Sequence, residues 1–115
     1  MPRQIPGEPY TRISSQEASE ILDNEEAIVI DVRNLDEYEE AHVSGARWLV
    51  VEDVIGKFDE LPTTGKLLFI CQVGARSGLA AEFAAAMGVS ADRLFNVEDG
   101  TPGWISAGLP YDTGS

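Results

Sequence analysis

The sequence holds a single cysteine, Cys71, and a single histidine, His42. One cysteine excludes an intramolecular disulfide, and with one histidine it excludes a zinc site built from thiolates and imidazoles, so no metal is expected. Basic residues are scarce: 8 Lys and Arg stand against 20 Asp and Glu, for a net charge of -12. Such a surface repels nucleic-acid backbones and anionic membrane faces, and neither is an expected partner. No apolar run approaches the ~20 residues that a membrane-spanning helix needs. The opening stretch MPRQIPGEPY lacks the apolar centre of a signal peptide, which leaves a cytoplasmic location as the default expectation. Neither a Walker loop nor a dinucleotide-binding glycine motif is present, and no cofactor is expected.

What is there suits one domain. A chain of 115 residues, 43% hydrophobic, can bury one core and leaves little room for a second. Residues 1–9, rich in Pro and Gly, read as an N-terminal arm, and residues 10–115 as the domain. Tyr10 to Ile13 reads as a short strand. Ser14 and Glu17 have capping-box spacing before a helix that carries Ala18, Ile21 and Leu22 on one face. Ala27 to Val32 is a continuous β-branched run of the kind buried on both sheet faces. Asn34 and Glu37 repeat the capping pattern ahead of a short helix through Leu35, Tyr38 and Ala41. A glycine turn spans His42 to Ala46. A strand is predicted over Arg47 to Val51 and a weakly amphipathic helix over Val54 to Leu61. Leu67 to Cys71 is a second buried-type strand. The helix beyond it has Leu79, Phe83 and Met87 at helical spacing and Gly88 placed to end it. Arg93 to Val97 reads as a strand, Asp99 to Gly103 as a turn, and Trp104 to Ala107 as a short helix. Strands alternating with helices predict an α/β fold in three layers, with a mostly parallel sheet of about five strands between helices.

The chemistry concentrates in Cys71-Gln72-Val73-Gly74-Ala75-Arg76-Ser77. Ligands of open parallel sheets bind beyond the carboxyl ends of the strands, where Cys71 stands. The next helix is expected to begin near Arg76 or Ser77 and to turn its unpaired N–H groups and positive dipole end toward the loop. A thiol in such a setting titrates well below the ~8.5 of a free cysteine. Gly74 lets the backbone wrap closely around the sulfur. Arg76 offers a permanent, bidentate positive charge to an oxyanion. A lone cysteine at a strand end is by itself more often a buried small hydrophobe; the glycine, the arginine and the helix start are what separate this one from that case.

These residues resemble the active-site loop of the single-domain rhodaneses, and the resemblance runs from about Ser14 to Tyr111. Ile30-Asp31-Val32-Arg33 resembles the family's strand ending in Asp-x-Arg. His42-Val43-Ser44-Gly45-Ala46 resembles its His-x-x-Gly-Ala turn. Val97-Glu98-Asp99-Gly100, Trp104 and Ala107-Gly108-Leu109-Pro110 resemble its C-terminal signature. The family often has two glycines before the terminal helix, and here Asp99 stands at the first, an extra carboxylate that could weaken anion binding. Pro102 is a second departure, suited to a helix's first turn.

The resemblance implies a sulfurtransferase. The Cys71 thiolate takes sulfane sulfur from a small anionic donor such as thiosulfate, holds it as a persulfide, and passes it to cyanide, a small thiol or a protein thiol, with Arg76 on the donor's sulfonate. Four residues separate Cys71 from Arg76. Phosphatases that share the fold use a loop one residue longer, so the loop length argues against a phosphatase or an arsenate reductase. A non-catalytic binding module is the other alternative, though such modules typically lose the cysteine. Among the supporting residues, Asp31 and Arg33 read as a structural ion pair or as loop-side groups. His42 reads as a hydrogen-bonding turn residue or an acid–base group. Trp104 reads as core or a pocket wall, and Ser77 as a helix cap or a hydroxyl aimed at the sulfur.

Overall fold

A computed structural model describes residues 1–114; Ser115 lies outside the described residues. Strand β1 (Arg3–Gln4) pairs antiparallel with β2 (Thr11–Ile13), so the stretch read as an arm lies along the sheet edge. Helix α1 (Ser15–Asn24) starts on the expected capping box, with the Ser14 hydroxyl accepting from Glu17 N–H and the Glu17 carboxylate accepting from Ser14 N–H. Then come β3 (Ala27–Asp31), α2 (Leu35–Glu40), β4 (His42–Val43), β5 (Arg47–Trp48), β6 (Lys66–Ile70), α3 (Ala75–Ala86), β7 (Leu94–Val97), α4 (Gly100–Ser106) and β8 (Tyr111–Asp112). Among the described residues the main sheet has six strands in the order β1-β2-β7-β6-β3-β5, all parallel except β1. Strands β4 and β8 form a separate antiparallel pair.

The period of two along β6 sorts the core. Leu67, Phe69 and Cys71 face the layer that holds Ala80, Ala81 and Ala84 of α3. Leu68 and Ile70 face the opposite layer, with Ala18 of α1 and Trp104 of α4. Each of these strand side chains is fully buried, worth roughly 1.5–3 kcal/mol apiece for the larger aliphatics. The same parity carries the Cys71 sulfur to the α3 side, and the register of Phe69 with Asn96 puts the Asn96 side chain there as well.

Three expectations are corrected. Val54 to Leu61 is not an α-helix; Val51–Asp53 and Phe58–Glu60 are single 3-10 turns that bury Val51, Val54 and Leu61 without a continuous helix. The strand predicted to reach Val51 ends at Trp48, although Val51 N–H still reaches the Val32 carbonyl. On α3 the stripe of long side chains is not the buried face: Leu79 and Met87 are 42% and 43% exposed and Phe83 only partly buried against the core, while Ser77, Gly78, Ala80, Ala81 and Ala84 are buried. A helix lying this close to the sheet has room only for small residues. A Cβ at Gly78 would stand 2.9 Å from the Tyr10 hydroxyl.

Candidate active site

The last strand residue before Cys71 is Ile70, and the turn that follows is tighter than the sequence implied. Gly74 caps α3 with φ +91°, and Ala75, Arg76 and Ser77 already form its first turn. Gly74 is required twice over: L-residues rarely adopt this φ, and a Cβ there would come within 2.8 Å of the Glu98 carbonyl. The clash is therefore with the end of β7, not with the sulfur.

Cys71 is buried with its Sγ at the floor of this turn. Gly74 N–H donates to Sγ at 3.1 Å, and the Ser77 hydroxyl lies 3.2 Å away. Burial pushes the thiol up, but the hydrogen bonds from the Ser77 hydroxyl and from the backbone N–H groups of Ser77, Val73 and Gly74 outweigh it and hold Cys71 below its ordinary value. These are the directions expected when donors converge on an anion.

Asn96 braces this cradle. Its Nδ2 donates to the Gly74 carbonyl at 3.0 Å, and its Oδ1 accepts from the Ser77 hydroxyl at 2.6 Å. The sequence reading passed over Asn96. A lone amide inside the apolar strand Leu94–Val97, itself buried, was the signal available.

Arg76 and Arg33 are both paired. Arg76 forms a bidentate ion pair with Glu37 of α2, at 2.7 and 3.1 Å. Glu37 also accepts from Asn34 N–H at the start of α2, so a residue read only as a cap joins α2 to the active-site turn. The Arg76 guanidinium beside it holds Glu37 below the usual carboxylate range. Arg33 sits on Asp31 (Nη2 to Oδ2 2.7 Å), on the Ala41 carbonyl (2.6 Å) and on Gln72 Oε1 (3.3 Å), and both members of this pair are buried. The geometry is that of a structural ion pair that anchors the Gln72 side of the turn.

His42 and Trp104 are not brought to the sulfur. The His42 ring stacks on Tyr38 at 3.8 Å, and its Nδ1 lies 2.8 Å from the Tyr38 carbonyl. Trp104 belongs to the core on the far side of the sheet and donates to the Pro110 carbonyl. Asp99 does not stand free near the cradle either: its Oδ1 accepts from both the N–H and the hydroxyl of Ser15. The glycine that the turn needs is Gly100, with φ +67° and a would-be Cβ only 2.1 Å from the Gln72 carbonyl. Pro102 sits harmlessly in the first turn of α4, which begins earlier than expected.

Two openings flank the turn. One, of about 460 Å³, is lined by Arg33, Glu37, Glu40, Gln72, Thr101 and Ile105 among others; the other, of about 370 Å³, by Arg12, Val73, Gly74, Glu82, Asn96 and Glu98 among others. Among the described residues no His, Cys, Asp or Glu cluster could hold a metal, and no helix is long and apolar enough to cross a membrane.

The Rhodanese-like domain family matches residues 14–107, a span that includes the whole cradle. The chain belongs to the rhodanese-like family. Among curated relatives, this rhodanese-like chain is similar to the thiosulfate sulfurtransferase GlpE of Actinobacillus pleuropneumoniae, 33% identical over 106 residues, covering 92% of this chain and 96% of the relative. It is also similar to the putative sulfur carrier protein YrkF of Bacillus subtilis, 30% identical over 93 residues, covering 80% of this chain and 49% of that one. Among solved structures, a rhodanese-related protein from Thermoplasma volcanium superposes with a TM-score of 0.77 at 26% identity, covering 88% of this chain and 96% of that one. The rhodanese-like domain of an Anabaena protein reaches the same TM-score of 0.77 at 17% identity, covering 92% and 80%. These likenesses establish the three-layer α/β fold, and the curated relatives support sulfurtransferase activity as the general class.

Proposed function

We propose that this rhodanese-like chain moves sulfane sulfur through a persulfide on Cys71, in two steps. The Cys71 thiolate attacks the outer sulfur of a donor such as thiosulfate. A bond from Sγ to that sulfur forms, the donor's S–S bond breaks, and sulfite leaves with the electron pair. A thiolate or cyanide then attacks the terminal sulfur, and Sγ departs as the thiolate it began as. Electrons balance without an external oxidant or cofactor, and one difficult transfer becomes two easier ones.

The observation that carries this reading is the cradle at the Cys71 sulfur: the Gly74 N–H at 3.1 Å and the Ser77 hydroxyl at 3.2 Å, in a turn one residue shorter than a phosphate-binding loop of this fold. The Gly74 N–H, already aimed at the sulfur, needs no reorganisation during transfer, and the Ser77 hydroxyl needs only to rotate. In this reading Gln72, Val73, Gly74, Ala75, Arg76 and Ser77 form the sulfur-binding turn. Asp31 and Arg33 steady it, and His42 and Trp104 are structural. Residues 10–115 act as one catalytic domain, with residues 1–9 along its edge.

Intact-mass measurement after incubation with thiosulfate tests it. A gain of one sulfur atom is expected, absent in Cys71→Ser and discharged by cyanide as thiocyanate. No gain with thiosulfate or with 3-mercaptopyruvate sinks the reading as a small-donor enzyme.

A further inference from the structure

The guanidinium that lines each opening, and that of Arg76 in the turn they flank, already holds a carboxylate. Arg33 is clamped by buried Asp31. Arg12 is clamped by Glu8, at 2.8 and 2.5 Å. Arg76 is clamped by Glu37, at 2.7 and 3.1 Å. The openings also carry Glu40 on one side and Glu82 and Glu98 on the other, on a chain of net charge -12. A dianionic donor therefore meets no free cation at either opening.

The three pairs differ in how readily they part. Asp31 and Arg33 are 0% and 4% exposed, and separating them strands a buried charge. Glu8 lies just before β2 and Arg12 within it, and neither side chain makes a hydrogen bond to the residues that hold the sulfur. Glu37 and Arg76 are 29% and 33% exposed, so water can replace either partner, and Arg76 lies within the turn itself, near enough for the Cys71 charge to help retain its proton.

We propose that Glu37 is the residue that sets donor choice. Its carboxylate occupies the one guanidinium of the sulfur-binding turn that a sulfonate could use, so small dianions bind only by displacing it, while a persulfide presented on a thiol has no such competitor. The inference rests on the sulfur-transfer reading and names the substrate class of that same site: thiol-borne persulfides ahead of thiosulfate.

Glu37→Gln separates charge from structure, because an amide oxygen can still accept from Asn34 N–H at this helix position. The expected result is a rise of about tenfold in kcat/KM for thiosulfate, carried by KM, as when a competitor for ground-state binding is removed. Alkylation of Cys71 supplies a readout that needs no sulfur transfer. On the high-pH plateau, the ratio of the iodoacetate rate to the iodoacetamide rate should rise in Glu37→Gln and fall in Arg76→Gln. In the double variant the Glu37 effect should vanish. An unchanged ratio in Glu37→Gln, or equal changes with the anionic and neutral reagents, overturns the proposal. If the wild-type protein takes sulfur neither from thiosulfate nor from a thiol-borne persulfide such as glutathione persulfide, the transfer reading fails by itself, and the alkylation ratio still decides the role of Glu37.

Discussion

The Ser77 hydroxyl lies 3.2 Å from the Cys71 sulfur, yet its single proton has another acceptor only 2.6 Å away, Asn96 Oδ1. With a thiol, the chain of donation runs from S–H to Ser77 and on to Asn96. With a thiolate or persulfide, the hydroxyl must turn to the sulfur and give up Asn96. Loss of this hydroxyl removes one of the bonds that hold Cys71 below its ordinary value. A hydrogen bond to a charged group contributes about 1.5–3 kcal/mol, so in Ser77→Ala the iodoacetamide rate at neutral pH should drop about tenfold or more. The high-pH plateau should stay near wild type, since only the thiolate fraction has changed. A pH–rate profile checks both. Combining Ser77→Ala with Asn96→Ala should cost less than the sum of the two, because the residues share one bond.

Of the neighbours Asp99 and Gly100, only Gly100 holds a position that requires glycine, while Asp99 accepts from Ser15 at the start of α1. Gly100→Ala places a Cβ against the Gln72 and Cys71 carbonyls at a positive φ, and should lose at least about 3 kcal/mol of stability or fail to fold. Asp99→Gly removes two bonds at the start of α1, a capping loss of about 0.5–2 kcal/mol, with sulfur transfer per folded molecule little altered. Urea unfolding of the two variants, with kcat measured on the second, makes the comparison.

Asp31→Asn leaves the Arg33 guanidinium buried without its counter-charge. Such a loss costs about 3–5 kcal/mol. Chemical denaturation should show it, and the Gln72 side of the turn, released from Arg33, should gain hydrogen exchange.

Acidification should weaken the fold in a defined direction. Glu37 and Glu8 sit below the usual carboxylate range because of Arg76 and Arg12, respectively. Groups whose folded value is depressed stabilise the protein fully above their unfolded value, and that contribution is lost as pH falls through the folded one. The urea midpoint should therefore fall as pH drops below about 5. Glu37→Gln should flatten this slope only slightly, since a partly exposed pair is worth below about 1 kcal/mol. Cys71 obeys the same sign at higher pH: its contribution is complete above the ordinary thiol value and disappears as pH falls through the lowered one.

What the sequence determined by itself were the features set within a few residues. The Ser14–Glu17 capping box, the buried run Ala27 to Val32, the strand that delivers Cys71 and the glycine that must follow it are all legible there, because backbone sterics, caps and the two-residue period act locally. The tertiary structure alone decided the rest. Which stripe of α3 is buried depended on how closely the helix lies on the sheet, and the small residues won over Leu79 and Met87. Asn96 entered the site only because β7 pairs with β6 in a register that sets it beside Ser77. Arg76, read as an anion's partner, found Glu37 across 39 residues of sequence. A guanidinium binds whichever carboxylate the packing brings to it, and no local pattern records which one that will be.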